Sequence, residues 1–335
     1  MLEKHTLPTS DEATNYKKLT PKERVKALQL AQCLDANNDK SILEYGLATQ
    51  KNLLEFYQKI TMTSHAKDIH SGINDALNML KPVIDQIDAN QLMPIQQGFL
   101  AHVFNNMQAT VDALIEQYRQ ISADVAEISN QLHVFQQEMI NENEWLTSVY
   151  QENQLYAKKI SISQAGAAMK LTDIEKRELP SAIKITEITQ IQQLDQFKKL
   201  LLARIKNLDL TSRLIANQSV QIQALKANNQ SLIDEISINF NTVLAAWQNQ
   251  FILTLTLFSQ KQIGYRHKKN TSLQVSESTE NIQQLQQVQQ HLIAITTAVK
   301  IDQRSSYKKI KVLEQKMQTL IGRLNQLIDN AMSYD

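Results

Sequence analysis

Glycine and proline are scarce in this chain, six and five among 335 residues, far below ordinary usage. With so few residues that turn the backbone or break a helix, the sequence has to be spent on a small number of long helices. Aromatic residues make up only 6%, which suits helix–helix packing better than one large globular core. Cysteine is almost missing. Cys33 stands alone, which excludes an intramolecular disulfide and a Cys-rich metal site and fits a reducing compartment. Charge of one sign does not accumulate either: 35 basic and 34 acidic side chains are interspersed for a net charge of +1. No positive field exists to draw in nucleic acid, so none is expected as a partner. The N-terminal residues are polar and charged with no apolar stretch, so no secretory signal is expected. One long uncharged run, from Ile236 to Gln260, has the length to span a bilayer. Gln248, Asn249 and Gln250 at its centre, with Asn239 and Asn241 upstream, would each need a partner in lipid, so a helix buried in protein is the better reading.

What is present is helical periodicity. Residues 1–19 read as a flexible tail. Thr20-Pro21-Lys22-Glu23 forms a capping box with proline at the first helical position, opening an N-terminal helical segment over 20–95. Asn37 to Lys40 reads as a turn within it, and Pro82 as a kink or interruption. After Pro94 and Gly98, apolar residues at alternating three- and four-residue steps run from Leu100 to Ile160. Ala165-Gly166-Ala167 and Pro180 bracket an expected connection, with a short helical turn over 172–179. A central helix is expected from about Thr186 to Gln262, a break between Gly264 and Ser272, and a last helix, in one piece or two, to Met332. The fold class that follows is all-α: an elongated antiparallel bundle of about three long coiled-coil-like helices over 96–335, with shorter N-terminal helices beside it.

The central helix is the informative one. Over 204–251 it has neither Gly nor Pro, and one seam passes through Ile205, Leu208, Ser212, Ile215, Ser219, Ile222, Lys226, Asn229, Ile233, Ile236, Phe240, Val243, Trp247 and Phe251. Its middle turns polar where Leu or Ile would add about 1.5–3 kcal/mol of burial. A buried Lys226 needs an acidic partner. A turn centred on Gly264 would place Asp302 opposite it, and a turn centred on Asn270 would place Glu314 there. Polar seam residues can simply fix register, they can form an anion or partner site, or the seam can face solvent there. His65 and His70, five residues apart around Asp68, point to different sides of a helix and do not make a metal pair. Lys261, Arg266, His267, Lys268 and Lys269 cluster before the last turn, as cations do at helix C-termini. No phosphate loop, nucleophile elbow, zinc-protease motif or Cys–His pairing is present, and Cys33 lacks a resolving cysteine. No enzyme activity, cofactor or metal is expected.

Several of these residues, in order, resemble the toxic-anion-resistance (TelA/KlaA) family of bacteria. They are Arg204-Ile205-Lys206-Asn207-Leu208 with Thr211 and Arg213, then Gln221-Ile222, then Asn228-Asn229-Gln230 with Leu232 and Ile233. Trp247-Gln248-Asn249-Gln250 is similar to the family's Trp-Lys-x-Gln segment, and Leu146, Tyr150, Asn153 and Tyr156 to its Leu-x3-Tyr-x2-Asn-x2-Tyr pattern. Val275 to Thr279 is similar to a segment that ends in Thr-Asn in the family. The resemblance covers roughly residues 95–330. Val220 and Ala245 stand where the family usually has Pro, and Gln223 where it favours Arg, so the chain is identified as a divergent member.

That resemblance implies a cytoplasmic, non-enzymatic helical protein of the tellurite and chemical stress resistance class, acting as a scaffold or interaction protein. The implied partners are other proteins of a stress-resistance system, with possible self-association and possible peripheral contact with the cytoplasmic membrane. Candidate polar-seam, partner or anion residues are Arg204, Arg213, Gln221, Lys226, Asn228, Asn229, Trp247 and Gln250. Two other functions remain open from sequence: an α-helical pore-forming toxin component with a concealed apolar segment from Phe251 to Phe258, and a direct oxyanion-binding protein.

Overall fold

A computed structural model describes residues 19–92, 104–177, 187–266 and 273–332. Every regular element among them is helical, as the shortage of turn residues requires.

Helix α1 (Pro21–Gln32) starts at the expected capping box. The Thr20 hydroxyl accepts from the Glu23 amide at 3.4 Å, and the Glu23 carboxylate accepts from the Thr20 amide at 2.8 Å. That backbone bond, with Lys158 at 3.0 Å, holds the Glu23 carboxyl down at about 2. Beyond α1 the turn expected at 37–40 is only half right. Asn38 caps a short helix, α2 (Asp39–Leu43), by accepting from the Lys40 amide at 3.1 Å. Gly46, at φ +72°, then turns the chain into α3 (Leu47–Thr63), a conformation that side chains with a Cβ seldom adopt. Helix α4 (Ala66–Ile84) accommodates Pro82 in its last turn and runs on to Ile84. A 3-10 turn follows at Ala89–Leu92.

Helix α5 (Phe104–Arg177) passes straight through Ala165-Gly166-Ala167, so the connection expected there does not exist. Gly166 serves a close approach instead: a Cβ at that position would lie 2.5 Å from the Tyr45 hydroxyl and 2.7 Å from the Ala27 carbonyl oxygen. The residues expected as a separate helical turn belong to α5 as far as Arg177. Helix α6 (Glu187–Asp234) leads into a six-residue π-helical segment, Glu235–Phe240, and then α7 (Asn241–Arg266). The π segment has no counterpart in the sequence reading. Within it the Ser237 hydroxyl donates to the Ile233 carbonyl at 2.7 Å, a side-chain competitor for the helical ladder. Gly264 lies inside α7. Helix α8 (Leu273–Met332) is continuous. The expected tail, the expected boundary at Pro94 and Gly98, Pro180, and the turn at Asn270 to Ser272 all fall outside the described residues.

The chain packs as two units. The first gathers Met1–Ser64, Trp145–Leu225 and Val312–Asp335, and the second His65–Glu144 and Lys226–Lys311. Helices α1–α3 thus belong to one and α4 to the other.

Neighbouring long helices run antiparallel within each unit, as short connections demand. In the first, Asn153 on α5 donates to the Ile215 carbonyl of α6 at 3.1 Å while Glu175 pairs with Lys198 at 3.7 Å. In the second, Asn228 on α6 donates to the Ser306 carbonyl of α8 at 3.3 Å, and Gln250 on α7 to that of Asn281 at 3.1 Å. Ascending positions on one helix meet descending positions on the next. The second unit's core joins Ile73, Leu77 and Leu80 of α4, Tyr118, Val125 and Leu132 of α5, Trp247 and Phe251 of α7, and Leu285 and Leu292 of α8.

Candidate functional site

Arg204, Asn207 and Thr211 stand three and four residues apart and therefore share one face of α6. That face is buried in the first unit: Arg204 is 2% exposed. The chain turn at Gly46 aims the Tyr45 carbonyl at it. The Arg204 Nε donates to that carbonyl at 2.7 Å, Nη2 to Gln50 Oε1 at 2.8 Å, and Nη1 to Asn207 Oδ1 at 3.3 Å. Gln50, fully buried, returns its amide to Asn207 Oδ1 at 2.8 Å and to Thr211 Oγ1 at 2.6 Å. Asn207 in turn donates to the Leu327 carbonyl of α8 at 2.7 Å. One guanidinium, by its fixed fork of donors, thereby ties α6 to the start of α3, and Asn207 extends the tie to α8.

Two turns along, a second joint repeats the device. The Tyr57 hydroxyl donates to Asn153 Oδ1 at 2.7 Å, and Asn153 donates to the Ile215 carbonyl and, at 2.8 Å, to Ser219. Burial raises the ionisation of both Tyr45 and Tyr57 far above the ordinary phenol value, so these hydroxyls act as neutral donors.

The second unit holds another polar cluster. His70 of α4 is fully buried, and its Nε2 lies 3.3 Å from Asn229 Oδ1. Gln303 of α8 donates to the His70 carbonyl at 2.5 Å. His70 Nδ1, Asn229 Nδ2 and Gln303 Oε1 are buried without a hydrogen-bond partner among the described residues. An Nε2–H donated to Asn229 leaves the Nδ1 lone pair pointing into protein. Burial holds the imidazole below its ordinary 6.5, against a smaller upward pull from Asn229. The unfolded chain therefore takes up a proton near pH 6.5 that the folded chain refuses. Stability from His70 is complete above that value and is lost as pH falls through the lowered folded value. Replacing His70 with Gln is expected to flatten this acid limb, as checked by urea midpoints measured between about pH 7.5 and 5.

The residues expected at the site divide between the units. Arg204, Arg213 and Gln221 fall in the first, and Lys226, Asn228, Asn229, Trp247 and Gln250 in the second. Neither unit gathers its share around one point. Arg213 is exposed and pairs with Asp209 at 2.9 Å along its own helix. Gln221 is half-buried, with its Oε1 unpartnered. Lys226 is half-buried too, and the Asn228–Ser306 bond sets it level with the neighbourhood of Lys308. That register lies between the two expected ones. Trp247 is fully buried, stacked on Phe251 at 5.2 Å, with its Nε1 unpartnered. Among the described residues no cluster of three His, Cys, Asp or Glu side chains could hold a metal ion, and no helix is long and apolar enough to cross a membrane.

Sequence reading missed Gln50, Tyr57, His70 and Gln303 as polar partners. Gln50 and Tyr57 sit on helical positions that would suit an apolar side chain, seven residues apart with Leu53 between them. A polar residue on an apolar helix face was the available signal.

Residues 27–269 match the family described as toxic anion resistance protein (TelA). The chain belongs to the TelA family. Its relatives include uncharacterized protein YaaN of Bacillus subtilis, 25% identical over 272 residues that cover 79% of this chain and 69% of YaaN. Uncharacterized protein Lmo1967 of Listeria monocytogenes is 25% identical over 271 residues, covering 79% and 66%. TelA-like protein SAV1406 of Staphylococcus aureus is 23% identical over 285 residues, covering 83% and 75%. No solved structure matches the chain significantly. The TelA match begins inside α1, so it takes in the N-terminal helices that the resemblance read from sequence had left out, and it stops before α8. Both buried joints of the first unit, apart from the Leu327 carbonyl, lie within it.

Proposed function

We propose that this TelA-family chain is a non-enzymatic, cytoplasmic helical scaffold of the toxic-anion and chemical stress class, tellurite included, that works by holding other proteins of a resistance system. The observation that supports this reading is where the buried polar side chains are spent. Asn207, Asn153, Asn228 and Gln250 donate to main-chain carbonyls of neighbouring helices, and Arg204 to that of Tyr45 in the turn before α3. Groups used in that way set helix register and leave a rigid outer surface for partners. In the stretch from Phe251 to Phe258, both phenylalanines are buried against the second unit's core while Ile252 and Leu253 are exposed. That arrangement gives the pore reading no support.

The test is deletion of the gene in its host followed by tellurite challenge. Deletion is expected to raise sensitivity, and both the wild-type gene and Lys226→Leu to restore tolerance. Calorimetry with purified protein is expected to show no saturable tellurite binding. Unchanged tolerance after deletion would overturn the stress-class assignment. Millimolar or tighter binding that Lys226→Leu abolishes would replace the scaffold with direct anion capture.

A further inference from the structure

Helix α7 buries one face and shows another to solvent. Leu244, Trp247, Phe251, Thr254 and Phe258 are buried. Thr242, Ala245, Ala246, Asn249, Ile252, Leu253 and Thr256 are exposed, Ile252 at 53% and Leu253 at 46%. A solvated helix face normally carries charge, yet this one carries none, because it lies inside the uncharged run. Its exposed positions 242, 245, 249, 252 and 256 also keep the alternating three- and four-residue spacing of a packing seam.

We propose that this face of α7 pairs with the same face of a second copy of the chain, antiparallel about a two-fold axis at Asn249. A two-fold contact requires a patch to be its own complement, and this patch is. Outward from Asn249, Ala246 meets Ile252, Ala245 meets Leu253 and Thr242 meets Thr256. Each large apolar side chain falls opposite a methyl group, so the helices interdigitate without crowding. The two Asn249 amides and the Thr242–Thr256 hydroxyls, which can both donate and accept, meet groups of their own kind. Parallel pairing would set Ile252 and Leu253 against themselves and leave Ala245 and Ala246 facing a gap. A lipid surface would receive Asn249 at the centre of the patch with no partner for its amide. With no charge on either side, nothing repels. From Thr242 to Thr256 the seam is about 21 Å long and one helix wide, smaller than the ~1,600 Å2 of a standard interface, so the pair is weak and reversible.

Sedimentation velocity of the full chain from about 5 to about 200 µM is expected to show a monomer giving way to a dimer across that range. Ala246→Glu, an exposed helix-compatible change, is expected to keep the chain monomeric throughout with an unaltered thermal melt. Orientation is read by cross-linking after Cys33, the one native thiol, is changed to Ser. With copper phenanthroline and oxygen as oxidant, Asn249→Cys is expected to give a disulfide-linked dimer. Gln260→Cys is expected to give none, since antiparallel pairing holds the two copies of that position about 33 Å apart. A monomer at every concentration, a dimer indifferent to Ala246→Glu, or equal linking through position 260 would each overturn the proposal. So would a persistent monomer that co-sediments with phosphatidylglycerol vesicles through this face, which would assign it to lipid.

Discussion

Arg204→Ala is expected to destabilise the first unit by about 3 kcal/mol, the largest loss from any single polar substitution among the described residues. The guanidinium is 2% exposed and donates to three acceptors: the Tyr45 carbonyl, Gln50 Oε1 and Asn207 Oδ1. Removing it strands the Tyr45 carbonyl and Gln50 Oε1 inside protein, while Asn207 Oδ1 keeps its bond from Gln50, and opens a cavity the width of the side chain. Arg204→Lys should recover only part of the loss, because a single ammonium on a flexible stem does not reach three acceptors in a fixed fork. Arg213→Ala is the matched control. Its exposed pair with Asp209 is worth no more than about 0.5 kcal/mol. Urea unfolding reads the magnitude, and hydrogen exchange reads the place. Peptides around residues 45–50 and 204–211 should lose protection in Arg204→Ala while those around His70 and Asn229 keep theirs. A loss below about 1 kcal/mol, or one spread evenly over both units, would remove Arg204 from the centre of the first unit's polar joint.

How far the sequence disclosed this arrangement follows from how α6 is used. The seam through Ile205, Leu208, Ile215, Ile222, Ile233 and Ile236 was legible, and all six are buried. A second line, Arg204, Asn207, Thr211, Leu214, Gln218, Leu225, Asn228 and Leu232, is buried as well. The helix is contacted on two sides, and the second side is mostly polar in its first half. Hydrophobic periodicity finds only the side lined with apolar residues, so it passes over Thr211 and Gln218. The residues that matched the family pattern, Asn207 and Asn228 among them, did mark the second line. They mark it as a set of helix–helix joints, each bonded to a main-chain carbonyl of α8. The register of Lys226 was beyond reach for a simpler reason. Moving the centre of an antiparallel turn by one residue moves each pairing by two, and the sequence offered two centres six residues apart. Glycine was also misread. Gly166 looked like a break because glycine is a weak helix former, but a close-packed neighbour can require glycine inside a helix just as a turn can.

That second reason makes Gly166 the sharpest test of the first unit's packing. Gly166→Ala should destabilise it by about 1–3 kcal/mol, although alanine favours an α-helix by about 1 kcal/mol over glycine. The added methyl would lie 2.5 Å from the Tyr45 hydroxyl and 2.7 Å from the Ala27 carbonyl oxygen. The second of these is backbone and cannot swing aside. The first is already committed, donating to the Ser163 carbonyl at 2.7 Å. Both neighbours have to give: α1 has to move away from α5, and the Tyr45 hydroxyl has to leave its place on Ser163. Gly322→Ala isolates the propensity effect, for nothing lies within 4 Å of a Cβ there. That change in the interior of α8 should stabilise by about 0.5–1 kcal/mol, so two identical substitutions should move the urea midpoint in opposite directions. Tyr45 also links this contact to Arg204, whose Nε holds the same residue's carbonyl. A displaced Tyr45 weakens that bond before Arg204 is touched, so the Gly166→Ala and Arg204→Ala losses should add to less than their total in the double variant. Full additivity would mean that Tyr45 shifts its ring alone and keeps its carbonyl in place, leaving the Arg204 joint intact.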